Sequence, residues 1–200
     1  MDFHHEQFEK FITIVEKYDY FIIRGFRLLP KLPDTDIDLI VHPEQYKDFC
    51  NIAQNYLKPG KLFNYGYSEW CDMQYQSYWT IASKGQIFKI DLYNSLYFRT
   101  PFKNKFWTVN KKYFDKVLKR RRKENFYYLV SLRDDLALTV CRAVLDMNGN
   151  WKDKYKNRVQ ELLKIISKKT AINTISEVLP HSEWIYECLQ NKNYEDIKWD

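Results

Sequence analysis

The stretch Arg24-Gly25-Phe26-Arg27-Leu28-Leu29-Pro30-Lys31-Leu32-Pro33-Asp34-Thr35-Asp36-Ile37-Asp38-Leu39-Ile40-Val41 decides how this chain is read. Its end is a β-rich run, and residues two apart on a strand face the same side. Asp36 and Asp38 therefore project together while Ile37, Leu39 and Val41 enter a core. Two carboxylates on one face are costly unless a cation offsets them or one takes up a proton, and hard oxygen ligands suit Mg²⁺ or Mn²⁺. Asp34-x-Asp36-x-Asp38 also has the first three ligand positions of a calcium loop, but the sixth position of such a loop must be Gly and here it is Leu39. The calcium reading fails. The plainer alternative is a loop–strand junction whose aspartates shape the turn and solvate it, and Asp34, directly after Pro33, fits that role.

On the N-terminal side, Phe8, Phe11, Ile12, Val15 and Tyr18 repeat at helical spacing, and Tyr20-Phe21-Ile22-Ile23-Arg24 is a short strand closed by Gly25. On the C-terminal side, His42-Pro43-Glu44 opens a helix that buries Tyr46, Phe49, Cys50, Ala53 and Leu57 and is expected to stop at Pro59-Gly60. From Lys61 to Tyr97 the pattern is β, with a Lys84-Gly85 turn predicting a hairpin. Beyond about residue 105 the chain turns helical. Leu129, Leu132, Leu136, Val140, Ala143 and Met147 predict a helix stopped at Asn148-Gly149-Asn150, with further helices over 152–168 and 170–190. The expected class is α+β: a small mixed β-sheet with flanking helices in residues 1–105, then a helical bundle in 106–200.

Ile87-Phe88-Lys89-Ile90-Asp91-Leu92-Tyr93 ends an apolar strand on another aspartate, which stands beside Asp36 and Asp38 if the two strands are sheet neighbours. Three carboxylates can surround two metals, one activating an attacking hydroxyl and both stabilising an α-phosphate in transfer. This pattern resembles the nucleotidyltransferase superfamily with the DNA polymerase β-like fold, and is most similar to its small-molecule-modifying and minimal members. It consists of Gly25, ten residues, then Asp36-Ile37-Asp38 followed by apolar residues, with a later lone Asp91 on a strand, and it covers roughly residues 8–95. The resemblance implies that Asp36 and Asp38 bind both metals. It further implies that Asp91 binds the catalytic metal and helps deprotonate the acceptor hydroxyl, and that Gly25 lies against the triphosphate. The family usually follows its glycine with Gly or Ser, and this chain has Phe26, which has no side-chain donor for phosphate. Backbone N–H groups with Arg24 or Arg27 then take that role, or the donor is bound differently.

Arg24, Arg27 and Lys31 suit phosphate contacts or are plain surface charge, and Lys89, on the same side of its strand as Asp91, neutralises phosphate or pairs with a carboxylate. Tyr65, Tyr67, Trp70, Tyr75, Tyr78 and Trp79 permit a stacking surface for a base or sugar, though packing in the core and hairpin is the commoner role of strand aromatics. Arg133-Asp134-Asp135 reads as an acidic first turn matched to a helix dipole.

The 200 residues, 45% hydrophobic and 18% aromatic with five Gly and six Pro, exclude collagen-like, linker-like and disordered classes. Cys50, Cys71, Cys141 and Cys188 form no CxxC pair and His4, His5, His42 and His181 no HxxxH, so neither a zinc ribbon nor a disulfide-dense secreted scaffold is suggested and reduced core thiols are expected. No signal peptide or membrane span is visible, which implies a cytoplasmic protein. Residues 1–100 carry 11 Lys+Arg against 13 Asp+Glu, and residues 101–200 carry 21 against 13, so the net +6 is C-terminal. Five cations run together in Lys119-Arg120-Arg121-Arg122-Lys123, which reads as a local anion site or a solvated segment rather than a dedicated nucleic-acid surface.

The expected activity is metal-dependent transfer of a nucleoside monophosphate from an NTP such as ATP to a hydroxyl or phosphate of a small acceptor, releasing pyrophosphate. Two alternatives are a nucleotide-sugar glycosyltransferase using the DxD and a non-catalytic module that binds RNA or a partner.

Overall fold

The computed structural model describes residues 3–24, 36–81, 87–102 and 105–198, so Gly25, Phe26, Arg27, Lys31, Asp34 and the Lys84-Gly85 turn lie outside the described residues. By contact the chain divides into two units, Met1–Leu96 with Phe114–Val130, and Tyr97–Tyr113 with Ser131–Asp200. The division is interleaved, not a single cut near residue 105, because a late strand returns to the first unit's sheet.

The first unit holds a seven-stranded mixed sheet. Its strands are β1 (Tyr20–Arg24), β2 (Ile37–Val41), β3 (Lys58–Tyr67), β4 (Asp72–Ile81), β5 (Ile87–Tyr93), β8 (Arg122–Glu124) and β9 (Tyr127–Leu129), in spatial order β3-β4-β5-β2-β1-β9-β8. β2 runs parallel to β5 and β1 parallel to β9, and the remaining pairs are antiparallel. With the helices described below, the class is the expected one: a mixed sheet with flanking helices and helices at the C-terminal end.

Period-two alternation puts Ile37, Leu39 and Val41 of β2 and Ile90 and Leu92 of β5 on one face, where α1 (Phe3–Val15) and α2 (Tyr46–Tyr56) cover them. Phe11, Ile12 and Val15 from α1 and Tyr46, Phe49 and Ala53 from α2 are buried there, as their helical spacing requires. Phe49 centres this core, edge-on to Phe11 at 5.8 Å and to Tyr18 at 5.4 Å. β2 is buried on both faces, so the sheet's opposite side, which carries Asp38, is also shielded at its centre.

Three local readings differ from the structure. α2 ends at Tyr56, before the stop expected at Pro59-Gly60, and these two residues lie inside β3. This strand is the sheet's edge, where a missing N–H costs no ladder bond. Leu129 belongs to β9, not to the helix after it; the three-residue run Tyr127–Leu129 is too short to show a period and is held by its pairing with Ile22. The stretch 152–190 forms three helices, not two. These are α5 (Asp153–Leu163), α6 (Lys168–Ser176), capped by Ser167, and α7 (Ser182–Asn191), and Pro180 forbids a continuous helix between the last two.

The second unit pairs β6 (Tyr97–Arg99) with β7 (Phe106–Thr108) and packs α5 and α6 around α4 (Leu132–Cys141). α3 (Lys111–Arg120) precedes β8 and spans residues of both units. Ser131 caps α4 by accepting from the Asp134 N–H. Asp134 and Asp135 stand in the first turn of α4, as expected, and are buried there: the Tyr113 hydroxyl donates to Asp134, and Arg158 Nε donates to Asp135 at 2.9 Å. α4 runs into a wider turn over Arg142–Asp146, and Asn148 and Gly149 close it at φ +48° and +74°, as their residue types allow. No helix among the described residues is long and apolar enough to cross a membrane.

Candidate active site

Neighbouring strands bring the three aspartates to one region of the sheet. The parallel register of β2 and β5 sets Asp38 directly beside Asp91, and Asp36 stands one step before β2 on the same side as Asp38. On the other flank β1 pairs Arg24 with Asp38, through an irregularity after Ile22 that turns Arg24 toward it. Arg24 Nε lies 2.6 Å from Asp38 Oδ2. Lys89 Nζ donates to Asp36 Oδ2 and to Asp91 Oδ2, both at 2.9 Å, so one ammonium bridges the two. The second Asp91 oxygen accepts from the Tyr75 hydroxyl at 2.6 Å.

The electrostatics follow from burial. Asp38 and Asp91 are each 7% exposed. Burial pushes the Asp38 carboxyl up to about 6; Arg24 pulls it down, and Asp91 and Asp36 push it up again. Three carboxylates against two cations leave the cluster short of positive charge. Burial works against the Lys89 ammonium, yet its hydrogen bonds to Asp91 and Asp36 more than offset this and hold it above its ordinary range. The Tyr75 phenol is pushed up by burial and by its donation to Asp91, so it stays a donor at any ordinary pH.

The residue types fit a hard divalent cation: oxygen donors in excess of their counter-charge, one of them held partly protonatable for want of it. The arrangement is nonetheless closed by ion pairs. Among the described residues no three acidic, histidine or cysteine side chains are gathered as a ready metal cluster, and Lys89 occupies the space between Asp36 and Asp91 as their common partner. Lys89 has a long stem and keeps a fifth of its side chain exposed, so it can withdraw.

Of the residues read from sequence, Asp36, Asp38, Asp91, Arg24 and Lys89 stand together, and Gly25 and Arg27 lie outside the described residues. Aromatic character alone does not single out Tyr75, but a hairpin turning near Lys84 pairs 77 with 91 and 75 with 93, as the register does. That count was available from the sequence. Tyr78 lies in the core under the sheet and donates to the Cys50 carbonyl, Trp70 lies 5.1 Å from Phe114, and the side chains of Tyr67 and Trp79 are outside what is described. The basic run is partly consumed internally: Arg121 pairs with Asp19, Arg122 with Glu124 and Lys123 with Glu16.

No family model and no curated protein sequence matches the chain. Solved structures do. The antibiotic-resistance factor ANT(2'')-Ia, a nucleotidyltransferase, is 9% identical over 97% of this chain and 99% of its own, with a TM-score of 0.51. Two Helicobacter pylori proteins also align. JHP933 is 8% identical over 96% of this chain and 94% of its own at a TM-score of 0.39, and a candidate nucleotidyltransferase is 8% identical over 94% and 96% at 0.40. The fold of this chain is nucleotidyltransferase-like.

Proposed function

We propose that this chain is a metal-dependent nucleotidyltransferase that moves a nucleoside monophosphate from an NTP to an acceptor hydroxyl or phosphate. The observation that carries the reading is the register pair Asp38–Asp91 with Asp36 beside it, on a nucleotidyltransferase-like sheet. Asp36, Asp38 and Asp91 would hold Mg²⁺ or Mn²⁺, which supplies charge stabilisation at the phosphoryl group and a more acidic acceptor hydroxyl. Arg24 would take a phosphate oxygen on the β1 flank, and Lys89 would exchange its carboxylate partners for phosphate. Asp91 accepts the acceptor's proton on the carboxylate oxygen now held by Lys89, while Tyr75 keeps the other oxygen fixed. The acceptor oxygen forms a bond to the α-phosphorus, and the bond from that phosphorus to its bridge oxygen breaks. Pyrophosphate leaves with the electron pair.

The test is thermal unfolding with each NTP in Mg²⁺, Mn²⁺ or EDTA, alongside pyrophosphate release. Metal-dependent stabilisation by NTPs, lost in the Asp36→Asn, Asp38→Asn double variant, is the expected result; a ligand at a hundred times its Kd adds about 2.7 kcal/mol. A second reading has its own observation: Arg24 and Lys89 already satisfy the carboxylates, as in a non-catalytic binding module. Stabilisation by nucleic acid but by no NTP, indifferent to metal, selects it.

A further inference from the structure

Beyond Asp91, on the flank away from Arg24, the same face of the sheet carries a row of rings. Tyr93 of β5 lies 5.0 Å from Tyr75 of β4, Tyr75 lies 5.7 Å from Phe63 of β3, and Phe63 stacks on Tyr65 at 5.8 Å with the planes 7° apart. The register explains the row, since Tyr75 is the direct partner of both Tyr93 and Phe63. It runs from shelter to solvent: Tyr75 is buried, whereas Phe63 at the sheet's edge is 41% exposed. Tyr75 is also the link to the chemistry, because its hydroxyl holds Asp91.

Core packing does not account for the outer end. The aromatic cluster around Phe49 lies on the other face, under α1 and α2, and Phe63, stacked on the half-buried Tyr65, leaves apolar ring surface to water at the sheet's edge. The charge on β3 itself is of one sign. β3 contains no acidic residue, Lys58 and Lys61 are exposed on it, and Lys61 shares the parity of Phe63 and Tyr65, facing Ser77 across the ladder. Exposed cations followed by rings along an edge strand match the phosphates and terminal base of single-stranded nucleic acid, since every linkage has a charge and every base a π-face. A neutral sugar has no use for the lysines, and a cationic acceptor is repelled by them.

We propose that Lys61, Phe63 and Tyr65, backed by Tyr75 and Tyr93, form the acceptor subsite, and that the acceptor is the end of a single-stranded nucleic acid whose terminal base stacks on Phe63. The assignment to the acceptor rests on the nucleotidyltransferase reading: with the donor's phosphates on Arg24 and on Lys89 between Asp36 and Asp91, the β4–β3 side of Asp91 is left for the attacking hydroxyl.

The experiment measures fluorescence anisotropy of a short labelled oligoadenylate and of an abasic strand with the same number of phosphates. Stacking of one base is worth about a five- to hundredfold gain in affinity, so the oligoadenylate binds tighter by that factor. In Phe63→Ala the two strands bind alike, and in Phe63→Trp the gap returns, which separates a ring requirement from a folding defect. Lys61→Gln weakens both strands equally and flattens the salt dependence. Equal binding of the two strands by the wild type, or a gap that survives Phe63→Ala, overturns the proposal. So does binding that depends instead on Lys119 and Arg120. NTP stabilisation is read separately: a base-dependent gap without it leaves the nucleic-acid site standing and removes the transferase reading, and the reverse result removes the subsite alone.

Discussion

Replacing Asp38 by Asn tests the electrostatics of the site without any ligand. The Asp38 carboxyl is raised from its ordinary 3.8 to about 6 in the folded chain, chiefly by burial. The unfolded chain gives up that proton first, so between roughly pH 4 and 6 the folded state binds more protons and wild-type stability falls as pH rises. Above pH 6 both states are ionised and the folded one carries the full cost, about 3 kcal/mol for a two-unit gap. Below pH 4 the cost is gone. Asn cannot ionise, so the stability of Asp38→Asn relative to wild type improves by about 3 kcal/mol between pH 4 and pH 7, or about 6–12 °C in Tm for a chain of this size. The variant also leaves Arg24 without its carboxylate, but Arg24 keeps 31% of its side chain exposed and water replaces the lost partner. That offset does not titrate, so the slope of the Tm difference with pH isolates Asp38. Thermal unfolding of both proteins in EDTA across pH 4–8 measures it. A Tm difference constant over this range refutes the buried, undercompensated carboxylate, and with it the physical case for a cation at this site.

Lys89→Met removes the ammonium shared by Asp36 and Asp91. It is expected to cost about 2 kcal/mol in EDTA and to make Mg²⁺ or Mn²⁺ more stabilising than in wild type, and an unchanged metal-induced Tm shift counts against Lys89 as the cation's competitor. Gly149→Ala places a Cβ 2.5 Å from Lys198 Cβ at a φ of +74°, so equilibrium urea unfolding should register a loss of about 1–3 kcal/mol; neutrality would mean that the C-terminal segment yields freely. Arg158→Met strands the buried Asp135 carboxylate in the helical unit and is expected to cost about 3–5 kcal/mol at neutral pH, with Arg158→Met, Asp135→Leu recovering most of it. A double variant no more stable than the single one speaks against a buried-pair penalty.

What was legible in the amino-acid order is what local periodicity can encode. Alternation in Ile37–Val41 and Ile87–Tyr93 set which residues face the core and left Asp36, Asp38, Lys89 and Asp91 on the opposite side, and helical spacing in Phe11–Val15 and Tyr46–Ala53 marked the covering helices. Short or edge elements escaped it. β9 is three residues long and exists through its pairing with β1, and β3 keeps Pro59 and Gly60 because an edge strand tolerates them. It takes the assembled sheet to show that β5 lies parallel to β2, so that Asp91 meets Asp38, that Arg24 and Lys89 close the carboxylates, and that Tyr75 joins Asp91 to the ring row. The physical reason is that side-chain parity is set within a few residues, whereas strand order is settled by burial and pairing summed over segments 50 or more residues apart, for which no short window of sequence holds the terms.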